Sequence, residues 1–253
     1  MTDAVRVSEP LPLRSVRNVR DLGGYPFTAA DGATGVTALG RFLRGGSLHG
    51  IRKHDIAALK SYGVVRIVDL RSPFELRFMP DSFSSGCRRD FEYISSPMLD
   101  QLNSSGFNGT LPERMSDVYR ELLDDDAEDV RAVMEALGRP GCSLFHCRAG
   151  KDRTGVIAML LLQLAGVDDA HIIADYTATQ RYMGRGLRVQ RAAVSVFLRR
   201  EVPRCLFEAA PEEMERALAH LKGRYGDART YLIGHAGCPE ELVDGLTRRL
   251  QGR

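Results

Sequence analysis

With 253 residues, 43% of them apolar, the chain can bury a full core as one α/β domain or as two. Its net charge is only +2, with acidic and basic residues interspersed, so global charge argues against nucleic-acid partners and against attraction to a membrane surface. Any affinity for anions must come from a local arrangement.

In chain order, Met1 to residue 14 reads as a flexible arm; Asp3 and Glu9 with no apolar run make it neither a secretory signal nor an anchor. Asn18 to Phe27 and Ala38 to Phe42 read as extended segments around the turn-rich Asp31-Gly32-Ala33-Thr34-Gly35. A helix near His54 to Tyr62 ends at Gly63, and Val64-Val65-Arg66-Ile67-Val68 forms a strand closing at Asp69. Phe91 to Ile94 is a further strand, and Glu113 to Leu123 and Ala127 to Leu137 are helices. After the Pro140-Gly141 turn comes a short buried strand, Cys142 to Phe145, and after residue 155 an apolar helix from Val156 to Leu162. Strands alternating with helices imply an α/β fold with a mostly parallel central sheet flanked by helices, here as a single domain over 1–253. A helical hairpin, 187–225, follows the core: apolar Val189, Ala192, Val196 and Phe197 are set among arginines, and Pro211-Glu212-Glu213 opens the second arm.

The chemistry lies between the Cys142 strand and the Val156 helix, in His146-Cys147-Arg148-Ala149-Gly150-Lys151-Asp152-Arg153-Thr154-Gly155. At a strand-loop-helix hinge the loop N–H groups and the first helical turn converge into a nest for an anion, with the positive end of the helix dipole behind it. Cys147 faces that nest, which favours its thiolate, a nucleophile for phosphorus. Arg153 offers a planar two-pronged donor to two phosphate oxygens, a role lysine cannot copy. Backbone at Arg148, Ala149, Gly150 and Lys151 completes the cradle. Thr154 either hydrogen-bonds the Cys147 sulfur as it departs or satisfies the helix start. Arg148 either adds charge at the mouth or is simply solvated. His146 serves as a buried support for the loop or as an acid or base.

Ester cleavage also needs a proton for the leaving oxygen. Asp152, inside the loop, is the first candidate; Asp69, at the carboxyl end of its strand, is the second, and a residue between 99 and 126 the third.

At these residues the chain resembles the bacterial atypical tyrosine phosphatases of the Cys-x5-Arg superfamily, which share the HCxAGKDRTG loop. The resemblance extends to Asn18-Val19-Arg20-Asp21-Leu22-Gly23-Gly24, Leu43-Arg44-Gly45-Gly46-Ser47-Leu48, Val68-Asp69-Leu70-Arg71, Asp175-Tyr176 and Tyr225-Gly226, about residues 14 to 250. It implies Cys147 as nucleophile, Arg153 as phosphate ligand and Asp152 as acid, with phosphotyrosine, other phosphoproteins and phosphoinositides as substrates and no cofactor. Lys151 matches the lysine that the family links to phosphorylated lipid headgroups. It is one of four lysines, with Lys53, Lys60 and Lys222, against 31 arginines. In relatives, helices after the core can form a lid, which puts Ser195 to Phe207 here either over the pocket or in ordinary packing. Arg20 and Asp21 form either a bracing pair or part of the site.

Five cysteines, 87, 142, 147, 205 and 238, without metal-ligand spacing, fit a reducing compartment and thus the cytoplasm; no histidine cluster suggests a metal. The rival chemistry is arsenate reduction, which needs a resolving thiol. Cys142 lies about 16 Å back on the same strand, whereas a disulfide needs Cα atoms within about 7 Å. Cys87 stays open for that role. A phosphate-binding module without catalysis is the other alternative, although nucleophile, arginine and acid are all present. The longest apolar stretch, Val156 to Val167, is interrupted by Gln163 and falls short of the about 20 residues a membrane span needs.

Overall fold

The computed structural model describes residues 7–86, 88–98, 112–199 and 201–253. Its strands are β1 (Arg20–Asp21), β2 (Pro26–Thr28), β3 (Thr34–Val36), β4 (Phe42–Gly45), β5 (Val64–Asp69), β6 (Glu92–Ser95) and β7 (Cys142–His146). β2 and β3 pair as a small hairpin, and the others form one sheet in the order β1-β4-β7-β5-β6. All neighbours in that sheet are parallel except β1, which pairs antiparallel with β4 at the edge. Parallel neighbours need crossovers. These carry α1 (Lys53–Tyr62), α2 (Pro73–Phe78), α3 (Met115–Asp124) and α4 (Ala127–Gly138). After β7 come α5 (Arg153–Ala165), α6 (Asp169–Leu198), α7 (Pro211–Tyr225) and α8 (Glu240–Gln251).

Side chains alternate across the strands. Phe42, Val68 and Phe145 join the larger core with α5, whereas Leu43, Ile67 and Leu144 join a smaller one with Ile56 and Leu59 of α1. Burial on both faces is what a parallel sheet requires, and it explains the adjacent apolar residues Ile67-Val68 in β5 and Leu144-Phe145 in β7, one to each face. Helix α5 is buried from Arg153 to Leu162, so its sequence shows no polar face. β7 is the central strand, with His146 in register with Gly45 of β4 and Asp69 of β5. Cys147 therefore leaves the sheet between the carboxyl ends of two flanking strands.

Three expectations change. Residues 1–6 of the supposed arm lie outside the described residues, but 8–14 are fastened to the body. Leu11 N–H donates to Val19 O at 2.8 Å, Ser8 N–H to Tyr25 Oη at 3.1 Å, and Arg14 N–H to the buried Asp55 carboxylate at 3.0 Å. Leu11 and Leu13 also pack against the smaller core, apolar contacts that two isolated leucines next to prolines do not announce. The hairpin is also not an appended unit beginning at 187. One 30-residue helix, α6, starts at Asp169, where Asp168 caps it by accepting from His171 N–H at 2.9 Å, and runs through Gly184 and Gly186. Its returning arm, α7, buries Met214, Ala217, Leu218 and Leu221 in the main core. α7 is thus a wall of the domain, and the short turn Arg204–Leu206 lies in the connection between α6 and α7. Finally, the extended segment expected at 18–27 carries two short strands, of which only Arg20–Asp21 joins the main sheet, and the segment expected at 38–42 becomes strand only from Phe42.

Among the described residues no helix is long and apolar enough to cross a membrane.

Candidate active site

The loop from Cys147 to Asp152 is held from outside by its carbonyls. Asn18 Nδ2 donates to Ala149 O at 3.0 Å and Gly150 O at 3.3 Å, Arg44 Nη2 to Gly150 O at 2.7 Å, and Ser47 N–H to Arg148 O at 3.0 Å. Carbonyls drawn outward leave the opposite, amide-bearing face of the loop for an anion. Gly150 has φ +70°, a left-handed conformation suited to glycine. Arg44 is itself fixed by Asp175, whose buried carboxylate also accepts from Arg20 Nε at 2.9 Å and Tyr25 Oη at 3.0 Å. Burial raises the Asp175 pKa, but the two guanidinium groups outweigh it and hold the carboxyl below its ordinary value. Arg20 and Asp175, bracing here, thus stabilise the loop's underside. Asp21 is separate: it accepts from Gly23 N–H, Gly40 N–H and Tyr62 Oη.

Cys147 is buried, and Arg153, six residues on, is 8% exposed in the first turn of α5. Arg153 is not left to find its own rotamer. Its Nη1 donates to Leu70 O at 3.1 Å, and Nη1 and Nη2 donate to Glu75 Oε2 and Oε1 at 2.7 and 2.9 Å. Glu75 is placed by the start of α2, where a capping box ties Ser72 and Glu75 reciprocally. Such a two-pronged pair fixes the plane of the guanidinium. The Thr154 hydroxyl is fully buried and has no hydrogen-bond partner among the described residues, nor does any side chain cap α5. Of its two expected roles, satisfying the helix start is therefore not seen.

Asp152 is partly exposed, and its Oδ1 accepts from Tyr119 Oη at 2.6 Å and lies 3.2 Å from Lys151 Nζ. Arg148 is exposed and Ala149 half-buried. Lys151 departs from expectation. Its side chain is 1% exposed, and Nζ donates to Cys205 O, Leu206 O and Glu208 O at 2.9, 3.2 and 3.0 Å. An ammonium has three donors, and three carbonyls around the Arg204–Leu206 turn use them. Instead of facing a headgroup, Lys151 ties the α6–α7 connection to the Cys147–Asp152 loop.

Asp69 also sits elsewhere than a site acid would. It is fully buried and accepts from Arg71 Nε at 2.9 Å, Arg71 Nη2 at 2.6 Å and Tyr93 Oη at 3.1 Å. Burial opposes its charge, but His146 and Arg71 prevail and hold its pKa below the usual carboxylate value. His146 packs against the same group: Nδ1 is 3.2 Å from Cys147 O, and Nε2 is 3.4 Å from Asp81 Oδ2. Burial pulls the His146 pKa down, yet Asp69 and Asp81 raise it overall. Asp69, Asp81 and His146 are close enough to ligate a metal, but Arg71 already bridges both carboxylates, and a guanidinium there supplies the cation. Asp69, Asp81, Arg71 and His146 form one buried cluster, which His146 Nδ1 links to the Cys147 carbonyl.

Residues 11–252 match the tyrosine phosphatase family. The chain belongs to that family. A tyrosine-protein phosphatase of Nostoc commune is 33% identical over 144 residues, 56% of this chain and 49% of that protein. The triple specificity protein phosphatase PtpB of Mycobacterium tuberculosis is 31% identical over 193 residues, 62% of this chain and 68% of that protein. The chain thus spans about half the length of the Nostoc relative. Among solved structures, TpbA of P. aeruginosa covers 77% of this chain, with 86% of its own length matched, at 15% identity and a TM-score of 0.37.

Against that tyrosine phosphatase framework, sequence reasoning missed Glu75, Tyr119, Arg44 and Asn18 as parts of the site. Ser72-Pro73-x-Glu75 carries a capping-box signal that could have placed Glu75 at a helix start; Asn18 and Arg44 lie in segments that carry the family resemblance, without a role attached to them, and nothing local marks Tyr119. Of the candidates for a resolving thiol, Cys142 sits in the strand's first position, its pKa pushed up to about 12 by burial, and Cys87 lies outside the described residues. Residues 99–111, part of the third candidate region for the acid, also lie outside them.

Proposed function

We propose that this chain is a cysteine-dependent phosphomonoester hydrolase acting on phosphotyrosine. The observation that carries the reading is the pairing of Cys147, at the end of the central strand, with Arg153, its guanidinium plane set by Glu75. The Cys147 thiolate attacks phosphorus, the P–O ester bond breaks, and Asp152 passes its proton to the departing oxygen. Arg153 and the loop amides stabilise the charge on the transferring phosphoryl group. Water then attacks the cysteinyl phosphate, Asp152 takes the water's proton, and the S–P bond breaks to return the thiolate. Thr154, buried and without a partner among the described residues, is a donor for the sulfur at that step.

Two supports favour Asp152 over Asp69. Asp152 reaches solvent, whereas the Asp69 carboxylate is buried and engaged by Arg71 and Tyr93. Cytoplasmic residence suits a nucleophile that must stay reduced, and cysteines 142, 147, 205 and 238 are all free.

Phosphoserine, phosphothreonine and phosphoinositides are included in the proposed range. The Mycobacterium relative bears the name triple specificity phosphatase. Here the exposed Arg148 adds charge beside the loop, and a cleft of about 520 Å³ is lined by Arg188, Arg204 and Arg191, the last paired with Glu201 at 2.8 Å, and by Glu208, whose carbonyl Lys151 holds. Phosphate release from phosphotyrosine and phosphothreonine peptides and from mono- and polyphosphorylated inositol lipids ranks the substrates. Cys147→Ser is expected to abolish turnover of all of them while inorganic phosphate still binds; full turnover by that variant refutes the mechanism.

A further inference from the structure

We propose that Tyr119 and Tyr176 form a two-link hydroxyl relay that positions Asp152, leaving one defined carboxyl oxygen to hold the transferable proton. This rests on the reading of Asp152 as the general acid. Tyr119 Oη lies 2.6 Å from Asp152 Oδ1 and 2.8 Å from Tyr176 Oη, and the two rings meet edge to face with centroids 6.1 Å apart. Both tyrosines are buried, at 0% and 1% exposure. Burial, reinforced by the Asp152 charge, pushes both phenols well above their ordinary pKa, so both keep their hydrogens.

The direction of the relay follows from valence. A carboxylate only accepts, so the single Tyr119 hydrogen goes to Asp152, and Tyr176 must donate to the Tyr119 oxygen. Protonating Asp152 on Oδ2 leaves Oδ1 a carbonyl that still accepts from Tyr119. Oδ1 thus has the phenol and the Lys151 ammonium beside it in either state, whereas Oδ2 has no hydrogen-bond partner among the described residues. The proton belongs on Oδ2. A neutral phenol is the right donor here, because it orients the carboxyl in both protonation states that the two chemical steps require.

The relay also joins two supports of the loop. Tyr176 follows Asp175 on α6, so consecutive residues brace the Gly150 carbonyl, through Arg44, and the acid, through Tyr119. A Cβ on Gly155 would stand 3.2 Å from Tyr176 Cδ2, so this glycine lets the ring lie close against the first turn of α5.

The test compares phenyl phosphate, whose leaving oxygen is basic, with p-nitrophenyl phosphate, whose leaving oxygen is not, in Tyr119→Phe, Tyr176→Phe, Asp152→Asn and Tyr119→Phe/Asp152→Asn. Orthovanadate binding confirms that each variant is folded. General acid catalysis contributes about 10²- to 10⁴-fold, so Asp152→Asn should lose at least about tenfold more on phenyl phosphate. Tyr119→Phe should show the same selectivity to a smaller extent and cost nothing further in the double variant. Tyr176→Phe, which leaves Tyr119 in place, should follow in the same direction. If Asp152→Asn lowers both substrates equally, the acid assignment itself fails. If Asp152→Asn is selective but both tyrosine variants slow the two substrates equally, the tyrosines are only structural and the relay is overturned. Faster phenyl phosphate turnover in Tyr119→Phe also overturns it, because the phenol would then be holding the acid away from substrate.

Discussion

Replacing Gly150 with alanine tests whether the catalytic loop is held by backbone geometry. An added Cβ would lie 2.3 Å from Gly45 O, 2.5 Å from Gly45 C and 2.8 Å from Gly46 N. All three are backbone atoms at the end of β4, which is paired with β1 on one side and β7 on the other, so no side-chain rotation relieves the clash. The φ of +70° adds a cost of about 1–2 kcal/mol for any residue with a Cβ, and overpacking adds about 1–3 kcal/mol. Together these predict a loss of about 2–5 kcal/mol. Because β4 is fixed on both sides, the loop gives way, and Gly150 O moves off Arg44. A shift of about 1 Å at the reacting groups costs about 100-fold in rate. Urea unfolding reads the stability and kcat/KM on p-nitrophenyl phosphate reads the geometry. A Gly150→Ala protein within about 1 kcal/mol of the parent and within about threefold in kcat/KM would refute the argument, since surface-like tolerance has no place for such a contact.

Glu75→Gln removes the charge that holds Arg153. Charge-assisted bonds contribute about 1.5–3 kcal/mol each, so kcat/KM should fall by about tenfold or more, with phosphate affinity by calorimetry falling too; undiminished affinity would show that Arg153 needs no brace. Lys151→Met leaves the carbonyls of residues 205, 206 and 208 without their donor, so hydrogen exchange should accelerate across 203–210 while orthovanadate still binds. Unchanged exchange there would contradict the tie. For His146, Asp69 and Asp81 overcome burial and raise the pKa in the folded state, so its charged form stabilises the fold. That contribution is complete below the unfolded value of about 6.5 and is lost as pH rises through the raised folded value. The stability gap between the parent and His146→Asn, from urea unfolding, should therefore be widest near pH 6 and narrow toward pH 9; a constant gap would separate His146 from the carboxylates.

The parts legible in the sequence are those set by neighbours along the chain. Cys147, Asp152 and Arg153 lie within seven consecutive residues, and the strand before them and the helix after them declare themselves by largely apolar segments that burial on all sides demands. The alternation of β5, α3, α4 and β7 likewise follows from local periodicity. What stayed hidden depends on chain segments brought together only by topology. Tyr119 meets Asp152 across 33 residues, and Glu75 meets Arg153 across 78. Only the part of the 30-residue α6 from 187 onward is legible, because Gly184, Gly186 and a scatter of arginines break its apolar stripe, although its cap at Asp168 is sound. The partner of Lys151 is hidden for a different reason: its residue type suits an anion and a cluster of carbonyls equally, and only the course of the α6–α7 connection decides between them.

The hold on the loop's carbonyls has a consequence for how this chain acquires its activity. Asn18 and Arg44 lie 131 and 106 positions from the carbonyls they hold, so the ten-residue motif does not possess its own shape. It is a conformation imposed by the chain's beginning on its middle. Closing contacts of that span is entropically expensive and is repaid only when the sheet between them is assembled. Catalytic competence is therefore a property of the completed topology, and a peptide carrying the motif alone would have the nucleophile and the arginine without the cradle that makes them a pair.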